Sequence, residues 1–235
     1  KHLAWEYLEK GLSQITIQNL QTKKKNIIKL PESAYTLYLK NNPEFNSDHL
    51  IYAYNSPSTP NSVFFYNFKT QKSTLKKQQK IPSGHNPKDY KVERVFATSH
   101  DSKKIPITLV YHKKIKENGK KPLLLKGYGS YVNIYYPAFD RNSLSLLKRG
   151  FIIGIAHIRG GKDLGEKWYQ DGKLLRKKNT FKDFISCAEF LINKKYTSAK
   201  KLSAVGGSAG GLLMGAVLNM APQLFTSVID HVPFV

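Results

Sequence analysis

The stretch Val205-Gly206-Gly207-Ser208-Ala209-Gly210-Gly211 constrains this chain more than any other. It follows the apolar Leu202-Ser203-Ala204-Val205, which reads as a strand, and precedes residues 212–218, which read as a helix. It therefore fits Gly-x-Ser-x-Gly at a strand-to-helix turn. In such an elbow the serine sits in a strained backbone conformation, and the residues two positions away are small so that strand and helix can approach each other. The helix N-terminus then aims free N–H groups at developing negative charge. Strand, glycines and helix N-terminus also describe a phosphate site. Against nucleotide binding, no Gly-Lys-Ser/Thr follows and the spacing does not match Gly-x-Gly-x-x-Gly, whereas a central serine is what acyl transfer needs.

The elements before the elbow suit an α/β sheet. Residues 92–97 and 105–111 read as a hairpin about His100-Asp101-Ser102-Lys103, and Leu123-Leu124-Leu125 as a short buried strand. Residues 142–148 have helical leucine spacing and stop at Gly150. Residues 151–156 form a continuous apolar run, as expected of a strand buried on both faces of a parallel sheet. Phe181, Phe184, Ile185, Ala188 and Leu191 repeat at helical spacing, with Asn179 or Thr180 as the expected cap. Ser227-Val228-Ile229 begins a further strand. This alternation predicts a doubly wound sheet with right-handed crossovers.

Before residue 90 the character differs. Segments at residues 15–17, 35–39, 49–54 and 62–68 cluster β-branched and aromatic residues, and breakers such as Asn41-Asn42-Pro43 and Ile81-Pro82-Ser83-Gly84 separate them. The spacing matches meander sheets and propeller blades, about two blades' worth. A small complete all-β domain is the alternative.

The 235 residues are 40% hydrophobic, enough for a substantial core. No apolar run reaches the ~18 residues that span a bilayer, and Lys1-His2-Leu3-Ala4-Trp5 is no signal-peptide core. The single Cys187 excludes an internal disulfide and a Cys-rich zinc cluster, and fits a reducing, cytoplasmic compartment. The formal charge of +22 comes from 33 Lys and only 5 Arg. Arginine is the residue suited to bidentate recognition of bases and phosphates, so the composition reads as codon bias rather than as a specific nucleic-acid surface. No membrane partner, cofactor or metal is implied.

Several motifs then occur in a telling order. They are Tyr128-Gly129-Ser130-Tyr131; Arg159-Gly160-Gly161 with Gly165, Trp168-Tyr169 and Asp171-Gly172-Lys173; Lys177-Lys178-Asn179-Thr180-Phe181; and the Gly206–Gly211 elbow. From about residue 50 onward the chain resembles the prolyl oligopeptidase family, and most of all its oligopeptidase B branch. The resemblance implies a β-propeller joined to an α/β-hydrolase-type domain. Residues 1–90 would then be C-terminal propeller blades, and residues 91–235 the N-terminal part of the catalytic domain. It further implies Ser208 as nucleophile, the Ala209 backbone N–H and the Tyr128 hydroxyl as oxyanion donors, and Tyr131 as a wall of the substrate site. Without the resemblance, Tyr128 and Tyr131 read as packed aromatics. Arg159 reads as structural, pairing with a carboxylate, while Asp171, Asp183 and Glu189 read as capping or surface charges. Lys162 and Asp163 replace the family's glycine and Glu, and Lys would be strained if its position needs φ > 0. Ile134-Tyr135-Tyr136-Pro137 departs from the acidic stretch of the oligopeptidase B branch.

A serine hydrolase of this fold needs, after the serine, an acid and then a histidine. Only Asp230 and His231 follow Ser208, adjacent on an expected strand, where neighbours face opposite sides. His2, His49, His85, His100, His112 and His157 precede it and look like turn, surface or core residues. The expectation is therefore an internal segment of a longer serine peptidase that cuts short peptides after Lys or Arg. Alone it would be inactive, and a companion chain could supply the missing Asp and His. The alternatives are a non-catalytic remnant binding acidic partners, and an esterase.

Overall fold

The computed structural model describes residues 1–234, which form two compact units, one of residues 1–88 and 136–139, the other of residues 89–135 and 140–234.

The first unit holds two antiparallel sheets. β1 (His2–Glu9), β2 (Leu12–Asn19) and β3 (Lys25–Ile27) make one, in that order. β4 (Thr36–Leu39), β5 (His49–Asn55), β6 (Ser62–Asn67) and β7 (Ser73–Gln78) make the other. Ile15, Ile17, Leu37, Leu50, Tyr52 and Tyr54 pack into a shared core. Tyr54, Ser58 and Thr59 donate their hydroxyl protons to the Glu32 carboxylate, and burial together with that carboxylate pushes the Tyr54 phenol up. The sequence pattern finds β2, β4, β5 and β6 but not the others. β1 turns into β2 through Lys10 and Gly11, both at positive φ (50° and 78°), as a tight hairpin turn requires. β7 is Lys- and Gln-rich and exposed throughout, so it has no buried face to announce it.

The second unit is a mixed six-stranded sheet. Its strands are β8 (Tyr90–Thr98), β9 (Lys104–His112), β10 (Leu123–Lys126), β11 (Ile152–Ala156), β12 (Leu202–Gly207) and β13 (Ser227–His231). Between them run α1 (Leu144–Lys148), α2 (Glu166–Gln170), α3 (Lys178–Asn193) and α4 (Ala209–Met220). The spatial order is β13-β12-β10-β11-β9-β8, with β10 parallel to both neighbours, β12 parallel to β13, and β9 antiparallel to β8 and β11. All five residues of β11 are buried, which explains its unbroken apolar run. Phe184, Cys187 and Leu191 of α3 and Leu213, Met214 and Val217 of α4 join the same core.

The expected cap of α3 needs correction. The helix begins at Lys178 with Lys177 as its cap, so Asn179 and Thr180 lie inside its first turn. Their side chains bond elsewhere, Asn179 Nδ2 to the Asp171 carbonyl and Thr180 Oγ1 to the carbonyls of Arg159 and Gly172. No helix among the described residues is long and apolar enough to cross a membrane.

This strand order locates a crevice. From β10 the chain goes to β11 on one side, and from β12 it goes to β13 on the other. The two strands are adjacent, with Lys126 paired to Val205. Ligands of open α/β sheets bind beyond the carboxyl ends of strands at such a switch point. The segments leaving it here are Gly127–Tyr131 and the Ser208 turn.

Candidate active site

Ser208 is the hinge between β12 and α4. Its backbone lies at φ 55°, ψ −119°, outside the regions open to ordinary L-residues, at a cost of ~1–3 kcal/mol. The turn is held from two sides. Ser208 N donates to the His231 carbonyl at 2.9 Å, and Gly211 N donates to the Ser208 carbonyl at 2.8 Å. Gly206 is small of necessity, because a Cβ there would stand 2.2 Å from the Gly210 carbonyl oxygen. The Ser208 side chain is exposed as a result, directly ahead of the first helical residue, Ala209. As that first residue, Ala209 has an N–H with no partner inside its helix.

Tyr128 arrives from β10. A Cβ on Gly210 would lie 2.9 Å from the Gly127 carbonyl oxygen and 3.4 Å from Cδ2 of Tyr128, so this half-buried ring leans on the first turn of α4. The structure thus brings Tyr128, Ser208 and Ala209 to one place. Tyr131 stands further along the same loop. It is 64% exposed, at φ 53°, with its ring centroid 6.4 Å from that of Phe234. Ser130, Tyr131, Tyr169, Lys177, Leu212 and Phe234 line an open cavity of about 310 Å³.

Lys177 Nζ donates to the Gly129 carbonyl at 2.6 Å and to Ser130 Oγ at 2.7 Å. Burial holds its ammonium down to about 8. Beside it, Gly160 takes φ 94° where its hypothetical Cβ would be 2.1 Å from the Gly129 carbonyl oxygen. Position 160 thus demands glycine, whereas position 162 does not. Lys162 has no positive φ and pairs with Glu166 at 3.0 Å.

Arg159 is fully buried. Its Nε and Nη2 donate to the Asp183 carboxylate at 2.8 and 2.6 Å, and its Nη1 and Nη2 donate to Asp101 at 2.6 and 3.0 Å. Burial opposes its charge, but the two carboxylates outweigh burial and raise its pKa. Asp183 is therefore an interior counter-ion, correcting its reading as a capping or surface charge. Among the described residues, His100, Asp101 and Asp183 form the one cluster spaced for a metal ion, and the Arg159 guanidinium engages both of its carboxylates. His157 is likewise interior, bonded to Asp163 at 2.9 Å and Thr108 at 2.8 Å, each of them buried. This hydroxyl–imidazole–carboxylate chain is closed to substrate.

Asp230 and His231 pair with Gly206 and Gly207 across the β12–β13 ladder. Asp230 Oδ1 lies 2.4 Å from where a Gly211 Cβ would stand, whereas the His231 Cβ lies 3.3 Å from where a Gly207 Cβ would stand. They are exposed neighbours directed to different places, as a strand dictates, and they make no acid–base pair.

Two family models match the chain in tandem. "Prolyl oligopeptidase, N-terminal beta-propeller domain" matches residues 1–79, and "Prolyl oligopeptidase family" matches residues 137–235. The chain belongs to the prolyl oligopeptidase family. Its sheets are accordingly propeller-type sheets followed by an α/β-hydrolase-type sheet. The dipeptidyl aminopeptidase BI of Pseudoxanthomonas mexicana is 46% identical over 209 residues, covering 88% of this chain and 29% of that protein. Protease 2 of Moraxella lacunata is 38% identical over 227 residues, covering 97% and 33%. The structure of oligopeptidase B from Leishmania major matches with a TM-score of 0.88 at 40% identity, covering 100% of this chain and 34% of that one. The chain thus spans about a third of the length of these prolyl oligopeptidase relatives.

Sequence reasoning missed one part of this family member's site. Lys177, Asn179 and Thr180 each tie a different loop, yet in one dimension they are polar residues at the start of an amphipathic helix. The available signal was the Lys177-Lys178-Asn179-Thr180-Phe181 stretch itself, one of the motifs that carry the resemblance.

Proposed function

We propose that this chain contributes the nucleophile and oxyanion site of a serine peptidase acting on short peptides. The observation that carries the proposal is Ser208 exposed in a strained turn at the N-terminus of α4, with Tyr128 against the same helical turn. Ser208 Oγ adds to the scissile carbonyl carbon while its proton passes to a base. The C–N bond then breaks, the proton goes to the leaving amine, and an acyl-Ser208 remains for water to cleave. The Ala209 N–H and Tyr128 O–H donate to the oxyanion, and loss of one such donor typically costs ~3 kcal/mol of barrier. Tyr131 lines the substrate site.

Cleavage after Lys or Arg is part of the proposal, supported by the likeness to oligopeptidase B, as is a cytoplasmic location, supported by one buried free thiol. Among the described residues none is bonded to Ser208 as a base, and His231 presents it a backbone carbonyl. In this proposal the 235 residues alone are inactive, and a companion chain carrying a histidine and an acid restores acylation of Ser208. The test is labelling with a fluorophosphonate probe, alone and with a companion covering the remaining hydrolase sequence of a relative, with Ser208→Ala as control. Labelling of Ser208 only with the companion is expected. Labelling elsewhere, or equally in Ser208→Ala, overturns the assignment.

A further inference from the structure

Three loops meet beside the candidate site, and the start of α3 ties all of them. Thr180 Oγ1 bonds the Arg159 and Gly172 carbonyls, Asn179 Nδ2 bonds the Asp171 carbonyl, and Lys177 Nζ bonds the Gly129 carbonyl and Ser130 Oγ. The last tie is the unusual one. A half-buried ammonium is given two neutral oxygens, although an ammonium in a partly dry place is costly unless its hydrogen bonds are worth keeping. The loop it grips is itself strained, with Gly129, Tyr131 and Val132 at φ 68°, 53° and 55°. Non-glycine residues in that region persist only where the surroundings over-determine them. The residue directly before the gripped carbonyl is Tyr128.

We propose that Lys177 is a positioning residue whose grip on Gly129 and Ser130 fixes the loop that aims the Tyr128 hydroxyl at the oxyanion. This rests on the reading of Ser208 and Tyr128 given above. Lys177 also lines the cavity beside Tyr131, but its Nζ is taken up by the two loop oxygens, so in this proposal it acts through the loop, and its loss lowers kcat and leaves KM in place. A small misplacement of one donor is worth about 10- to 100-fold in rate.

The experiment uses the protein in its complete catalytic form, with a fluorogenic short peptide ending in Arg and, independent of side-chain preference, the rate of fluorophosphonate labelling. Lys177→Met is expected to lower kcat and the labelling rate about 10- to 100-fold with KM within about twofold. Lys177→Arg, which keeps charge and donors, is expected to recover most of the loss. Lys182→Met, exposed on the same helix, serves as the control. Unchanged kcat in Lys177→Met, or a loss confined to KM, overturns the proposal. Should Lys177→Met not fold, Ser130→Ala removes one of the two acceptors and carries the same test, with unchanged kcat again decisive against it. Activity surviving Ser208→Ala would instead overturn the underlying functional reading, so the two failures are told apart.

Discussion

Ser208 N–H donates to the carbonyl of His231 at 2.9 Å, so the strand after the elbow holds the nucleophile turn by its backbone. The only histidine that follows the serine thus acts on it through a main-chain atom. A strained nucleophile needs such a brace, because its left-handed backbone is unfavourable for any residue with a Cβ.

Glycine at that position should accordingly relax the turn. Ser208→Gly is expected to stabilise the chain by about 1 kcal/mol, the relief of strain being larger than the entropy cost of glycine, while abolishing labelling of the site. Urea unfolding of the two proteins decides it. A destabilised Ser208→Gly would mean that the turn is not strained.

The close approach of β12 and α4 makes the opposite prediction one turn away. Gly206→Ala would place a methyl group 2.2 Å from the Gly210 carbonyl oxygen, against backbone that has no rotamer to change. A loss of about 3 kcal/mol is expected in the same unfolding experiment. A loss under about 1 kcal/mol would show that the strand and helix separate easily.

Arg159 and Asp183 form a buried pair, which behaves asymmetrically when broken. Arg159→Met leaves Asp183 charged in the core and should cost about 3–5 kcal/mol, whereas replacing both partners with apolar residues should restore much of that. A double-mutant cycle measures the difference, and strict additivity would be the contrary result.

Lys177 gives stability a pH dependence of known sign. Its folded value of about 8 lies below the ~10.4 of an unfolded lysine. Below pH 8 both states carry the proton and the buried charge weakens the fold in full. Between 8 and 10.4 the unfolded chain holds more protons, so stability rises with pH. Relative to Lys177→Met, the native protein should gain stability from pH 7 to pH 9.5. Parallel pH profiles for the two would contradict the buried ammonium.

Much of this molecule was readable in one dimension, and the reason is periodicity. Residues 151–156 announce a strand buried on both faces because every residue is apolar, and β11 is buried at every position. The spacing of Phe184, Ala188 and Leu191 announces α3 because one face must be apolar. Gly206 and Gly210 announce the elbow because a tight strand-to-helix turn excludes larger residues. Where a segment buries no face, as in the Lys-rich β7, nothing in the pattern marked it.

The α/β character of the second unit, the elbow and its serine each follow from side-chain size and apolar repeat along a short stretch. Which residues meet across the fold is settled by its packing. It set Asp183, 24 residues from Arg159, as its buried counter-ion, and Lys177, 48 residues from Gly129, as the support of the Tyr128 loop. It also turned His157 and Asp163 inward. Such pairings depend on strand order and on how closely backbones approach. Those are set by the packing of the whole sheet, and no local pattern of residues encodes them.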